Sequence, residues 1–204
     1  MKARTQSAKI KAKRGRPRKD GVLREPNGRA IRSDQNGYKL AVEARARMHR
    51  LSVADAADPQ ASTFIGRLHL AYLAWKKKAN HAERTGRKFD VPQPAMSLST
   101  ANYYAALTFQ EVANDYAKAV LSPGAYYEHR GLGTGDEEAA ERWAMTACAR
   151  RKKAMDIVME CWRNNKGSRV PEALEQIVLR DKQCEDLVGD LRTVLSDLNR
   201  HFKG

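Results

Sequence analysis

The chain has 204 residues, a formal net charge of +14 and a pI near 9.9. That length accommodates one domain with a tail, and the charge favours a polyanionic partner. No stretch approaches the ~18 consecutive apolar residues of a membrane span, and Cys148, Cys161 and Cys184 lack the C-x-x-C spacing of a zinc site or a disulfide framework. The three cysteines read as reduced thiols. The basic N-terminus has no apolar core behind it, unlike a secretory signal, although its composition is compatible with a transit peptide.

The positive charge is unevenly spread. Residues 1–32 hold twelve Lys or Arg against Asp20 and Glu25, a net +10 that leaves +4 for residues 33–204. Residues 1–37 read as a disordered basic arm. They are nearly devoid of apolar side chains, are broken by Pro17, Pro26 and several glycines, and cannot offset the entropy of ordering. Inside the arm runs Lys13-Arg14-Gly15-Arg16-Pro17-Arg18-Lys19. Pro17 fixes its own φ and pushes Arg16 out of the helical region, and Gly15 lets the backbone lie close against a surface. An extended, narrow, cationic ribbon suits the minor groove of A·T-rich DNA, about 6 Å wide with an enhanced negative potential. The run resembles an AT-hook, a minor-groove motif built on a Gly-Arg-Pro core flanked by Arg and Lys. A bland alternative is a nuclear-localisation-like or non-specific polybasic tail. Downstream, Glu25-Pro26-Asn27-Gly28 has strong turn chemistry and is flanked by Arg24, Arg29 and Arg32. It is either a solvated linker or a second basic contact.

From Tyr38 the periodicity turns helical, and residues 38–204 read as an all-α domain, a bundle of about five or six helices. Leu40, Val42, Ala44, Met48 and Leu51 mark a first helix. Ser52 caps a brief second one, ended by Asp58-Pro59. Ser62 or Thr63 opens a longer helix with Phe64, Leu68, Tyr72 and Trp75 on its buried face and Lys76-Lys77-Lys78 at its end. Residues 84–98 form a loop. Ser99 or Thr100 starts a helix with Tyr103, Tyr104, Leu107, Val112, Tyr116 and Val120 as its apolar face, stopped by Ser122-Pro123-Gly124. Gly131, Gly133 and Gly135 lead to Asp136, an N-cap for a long helix whose apolar residues are Trp143, Ala147, Ala154, Ile157, Val158, Cys161 and Trp162. Pro171 suits a first helical position. From there a stripe of Leu174, Ile177, Val178, Leu187, Leu191, Val194, Leu195, Leu198 and Phe202 runs to the end, interrupted by polar residues 181–186 and Gly189, so this last segment divides naturally into two helices.

Other constellations are weaker. Residues 52–75 have the dimensions of a helix-turn-helix, with Arg67, His69 and Lys76 to Lys78 on the second helix. The turn lacks the usual Gly, however, and Phe64, Leu68 and Tyr72 look like core. Thr108 to Val120 resembles a first helix of such a motif, with no recognition helix after it. Arg150-Arg151-Lys152-Lys153 covers more than a helical turn and cannot share one face; it is a solvated surface or a secondary phosphate contact. Gly131 to Gly135 lacks the Gly-Lys-Ser/Thr end of a phosphate loop. Tyr126-Tyr127 and the aromatics at 103, 104 and 109 read as core in preference to base-stacking platforms. His49, His69, His81, His129 and His201 are scattered, and no catalytic or metal spacing is present, so neither an enzyme nor a cofactor is expected.

The stretch GRPRKDGVLREPNGRAIRS is similar to the opening of small basic proteins of alphaproteobacterial phages and prophages, as are EARARMHRLSVADAADPQASTFIGRLHL and LRTVLSDLNRHF. The resemblance implies a phage context and no mechanism, and it carries over only to Gly15, Arg16, Pro17 and the Arg24 to Arg29 turn. The sequence therefore points to a DNA-binding accessory or regulatory protein at the nucleoid of a bacterial host, or in the nucleus of a eukaryotic one. Its helical body would bind a protein or a second copy of the chain. A small-terminase-like packaging component and an RNA-binding, antitermination-type regulator are the alternatives.

Overall fold

The computed structural model describes residues 34–121 and 137–203, and among them the fold is all-α. Five long helices carry it: α1 (Asp34–His49), α3 (Phe64–Arg84), α4 (Thr100–Ala119), α5 (Glu137–Asn164) and α7 (Val188–Lys203). Single helical turns lie between them, α2 (Val53–Ala56) and α6 (Val170–Ala173), with a 3-10 turn at Pro59–Ser62. α6 runs on into a π-helical stretch, Leu174–Leu179, so the final segment is indeed two helices, joined through a 3-10 turn at Glu185–Leu187.

α4 is the axis of the bundle and packs against α3, α5, α7 and the π stretch. The core is built from Leu68, Phe109, Val112, Val158, Ile177, Leu191, Leu195, Leu198 and their neighbours, all buried. The stripe from Leu174 to Leu198 is buried as its spacing implies, and Phe202 packs against the core from its edge. Buried Asn102 ties α4 to α7, its amide donating to the Arg192 carbonyl at 3.3 Å and to Ser196 Oγ at 3.4 Å.

Three caps expected from the sequence are in place, while Asp136 and Ser122-Pro123-Gly124 lie outside the described residues. Ser52, Thr63 and Ser99 each accept a backbone N–H of the following turn, from Asp55, Gly66 and Asn102. Asp58 caps the 3-10 turn through the Gln60 N–H. α3 runs past Lys78 to Arg84 and ends in a Schellman motif. Gly86 has φ +64°, and the Gly86 and Arg87 N–H groups donate to the Glu83 and Ala82 carbonyls.

Three expectations are corrected. α1 begins at Asp34, so residues 34–37 belong to a helix and not to the arm. Val42 and Ala46 bury against Ala56, and Tyr38 Oη donates to the Ala57 carbonyl; once so anchored, the helix extends at little cost, even through Gly37. On α4 the buried face is Asn102, Ala105, Ala106, Phe109 and Val112 beside Tyr103, while Tyr104, Tyr116 and Val120 are exposed. Alanines take the inner positions because α4 has neighbours on several sides and only small side chains permit such close approach. On α5, Ala147, Ala154, Val158 and Cys161 are buried, whereas Trp143 and Trp162 are exposed.

One glycine is required by contact. A Cβ on Gly66 would stand 1.9 Å from the Gln60 carbonyl oxygen, where the 3-10 turn lies across the first turn of α3. Gly189 of α7 has open space around it. Gly66→Ala therefore forces the turn off the helix at a net cost of ~2–3 kcal/mol, or ~5–10 °C in Tm for a domain of this size. Gly189→Ala raises Tm slightly; thermal unfolding of the two variants checks the contrast.

Candidate nucleic-acid interface

The residues that the sequence assigns to DNA, Lys13, Arg14, Gly15, Arg16, Pro17, Arg18, Lys19, Arg24, Arg29 and Arg32, lie outside the described residues, as do Tyr126-Tyr127 and the Gly131 to Gly135 stretch. What the structure adds is the distribution of charge on the body. Residues 76–88 contain Lys76, Lys77, Lys78, Arg84, Arg87 and Lys88 against Glu83, a net +5 where residues 33–204 together carry +4. Residues 142–153 of α5 carry a second net +5, from Arg142, Arg150, Arg151, Lys152 and Lys153; the outer half of α3 and the turn after it form the other basic segment.

The two halves of α3 have different surroundings. Phe64, Ile65, Gly66, Leu68 and His69 are buried. Beyond Trp75 only Ala82 is buried, and Lys76, Lys77, Lys78, His81 and Arg84 are exposed. The loop from Thr85 to Ser99 returns along this half and steadies it. Trp75 Nε1 donates to the Val91 carbonyl at 2.9 Å, and the Phe89 ring lies 6.2 Å from the Trp75 ring. Leu73, Lys76, Lys77, Asn80, His81 and Arg84 recur at helical spacing along one face and line an open groove of about 490 Å³. The ion pairs among the described residues, such as Arg150–Asp115 at 3.7 Å and Arg142–Glu138 at 3.4 Å, lie elsewhere. A helix C-terminus carries roughly half a negative charge, far less than these six cations supply.

The helix-turn-helix reading of residues 52–75 is overturned. A recognition helix offers its N-terminal residues to base edges, and here those residues are core. Arg67 donates to the Ala61 carbonyl at 3.3 Å, sits 3.3 Å from His49 Nε2 and covers the Phe64 ring, so it closes the 3-10 turn. Arg45 does the same for the end of α2, donating to the Ala56 and Asp58 carbonyls at 2.7 and 3.3 Å. Thr108 to Val120 falls within and just beyond the continuous helix α4, and no turn divides it. Arg150 to Lys153 do not share one face, as their spacing implies: Arg150 faces Asp115, Arg151 turns inward over Phe109, and Lys152 and Lys153 are solvated.

The cysteines are free thiols. Burial, reinforced by the neighbouring Asp197 carboxylate, pushes Cys161 up to about 11, so it stays protonated at neutral pH and is no nucleophile. The chain matches no protein-family model, no curated protein and no solved structure.

His69 is a wedge between elements. It is stacked on Tyr103 at 4.3 Å, with Nδ1 2.8 Å from Gln60 Oε1 and Nε2 3.2 Å from Thr100 Oγ1. With the Gln60 oxygen as acceptor, Nδ1 carries the proton and Nε2 accepts from the threonine hydroxyl. Burial lowers its pKa below the ordinary imidazole value, against a smaller opposing pull from Asp58. Burial and then Arg67 lower His49 likewise. Both groups bind protons more readily in the unfolded chain. Stability is therefore complete above the ordinary imidazole value, about pH 6.5, and falls as pH drops through it. Tm is lower at pH 5.5 than at pH 7.5, with a slope of no more than about 1.4 kcal/mol per pH unit for each histidine. His69→Gln flattens that slope whatever it does to Tm at neutral pH, and calorimetry across the range measures it.

Proposed function

We propose that this chain is a DNA-binding accessory or regulatory protein of phage or prophage origin, acting without chemistry of its own. The observation that carries the reading is the Gly15-Arg16-Pro17 core inside an arm that holds +10 of the chain's +14. Arg16 enters the minor groove of an A·T tract, and Lys13, Arg14, Arg18 and Lys19 neutralise phosphates beside it. Arg24, Arg29 and Arg32 extend the footprint.

The basic end of α3 supports a second contact. From Lys76 to Arg84 the helix rises on the order of 12 Å, about the width of the major groove, so cations about two helical turns apart can face phosphates across it. This contact would be non-specific, because the side chains are lysines and arginines on an open surface with no buried polar group to select a base. The arm supplies A·T preference, the helix end adds affinity, and the tether raises the local concentration of each for the other.

The full chain at about 0.15 M salt prefers an A·T-tract duplex over a G·C duplex of equal length by ~10-fold or more. Arg16→Ala removes most of that preference, whereas Lys2→Ala leaves it. The triple change Lys76→Gln, Lys77→Gln, Arg84→Gln weakens both duplexes alike and reduces the slope of log K against log salt by ~2–3. Fluorescence anisotropy at several salt concentrations measures all of these. Equal affinity for the two duplexes overturns the minor-groove assignment, and displacement of either duplex by structured RNA at equal concentration moves the reading to an RNA regulator.

A further inference from the structure

A cavity of about 280 Å³ lies between α4, α5 and the π stretch, well apart from the basic end of α3. Its walls are Phe109, Met155, Val158, Pro171, Leu174 and Leu179. Into this apolar surface α5 projects Arg151. The guanidinium carbon lies 4.9 Å from the Phe109 ring centroid, and Nη1 is shut off from water without a hydrogen-bond partner among the described residues.

That arrangement is costly. A guanidinium remains charged at neutral pH wherever it is placed, and a half-buried cation with an enclosed, unfilled donor is destabilising. Native structures leave few such groups unsatisfied. The carboxylates nearby have other partners: Glu175 at the cavity mouth pairs with Arg180, and Asp115 pairs with Arg150. Lys152 and Lys153, next along α5, are exposed. Arg151 alone among the four cations is turned inward.

The wall from Leu174 to Leu179 is π-helical, a geometry found mostly as short stretches and frequently at functional sites. Its backbone is held open from outside. Gln110 of α4 donates to the Val178 carbonyl at 2.5 Å, and the Arg180 N–H reaches back five residues to the Glu175 carbonyl at 3.0 Å. The wider turn sets Leu174 and Leu179 as two sides of the cavity.

We infer that this cavity binds a small monocarboxylate with a compact apolar body. The carboxylate accepts the Nη1 proton of Arg151, and the apolar body lies against Phe109, Met155 and Leu174. One guanidinium balances one negative charge. A phosphate dianion would meet apolar walls on most sides and the Glu175 carboxylate at the mouth. A neutral carbonyl could accept the Nη1 proton but would leave the charge of Arg151 unbalanced. The assignment is independent of DNA binding and stands or falls separately from it.

The probe is benzoate, with the neutral isostere benzamide and inorganic phosphate as comparators, titrated into the full chain by calorimetry and by ligand-observed NMR. Benzoate binds saturably with a Kd on the order of 1 mM, ordinary for about nine non-hydrogen atoms, and at least ~5-fold more tightly than benzamide or phosphate. Arg151→Met keeps the apolar stem, removes the unpaired charge and folds with an unchanged or higher Tm; it loses the preference for benzoate over benzamide. Leu179→Trp, at the half-exposed rim, narrows the mouth without touching Arg151 and weakens benzoate at least ~3-fold. Benzamide or phosphate binding as tightly as benzoate overturns the inference. So does undiminished benzoate binding in either variant, or no saturable signal up to about 20 mM.

Discussion

The Asp181 carboxylate accepts the Phe64 N–H at 2.6 Å, joining positions 117 residues apart, and α3 is aimed by that bond. The first N–H groups of a helix have no partner of their own. Thr63 satisfies that of Gly66, and Asp181 takes that of Phe64 while placing negative charge at the positive pole. Asp181 reaches it from a backbone with φ +49°, which Asp tolerates better than most residues, immediately after the π stretch ends. Around the same point Gly66 admits the 3-10 turn, His69 bridges Gln60 and Thr100, and Arg67 closes the Ala61 carbonyl. Four segments thus meet at the start of α3.

With that end held, the remainder of α3 has nowhere to go but outward. Lysines and arginines cannot follow Phe64 and Leu68 into the core without losing hydration that no partner there replaces. They are carried instead on a helix that leaves the bundle, braced by Trp75 and the returning loop. Apart from residues 76–88 the net charge of residues 33–204 is −1, the basic run Arg150 to Lys153 being offset by acidic residues elsewhere.

The π stretch serves both ends of the molecule. Its last turn delivers Asp181 to α3, and its apolar residues frame the cavity into which Arg151 turns. A regular α-helix over the same residues would rotate Leu179 and Asp181 away from these positions, since each residue of an α-helix advances a larger angle than in a π-helix. Gln110, which satisfies the Val178 carbonyl, is thereby a residue on which both features depend.

Local signals were enough for much of this. Ser52, Thr63, Ser99 and Asp58-Pro59 lie where helix starts and stops belong, because caps and turns are made within a few residues of themselves. The stripe from Leu174 to Leu198 declared a buried face through its spacing alone. Net charge and its concentration before residue 33 needed no fold. Periodicity could not say which of two faces was inner when both carried apolar groups. On α4 the alanines at 105 and 106 are core and Tyr104 and Tyr116 are not, a choice made by the closeness of the neighbouring helices. It also could not show that Lys76 to Lys88 stands at a projecting end, that Arg67 and His69 are internal fasteners, or that Arg151 alone turns inward. The N-caps at Ser52, Thr63 and Ser99 and the concentration of charge before residue 33 came from the sequence by itself, since each depends on neighbours along the chain. The facing of α4, the freedom of the α3 end and the Arg151 cavity were decided by the tertiary structure, since each depends on which surface another helix covers.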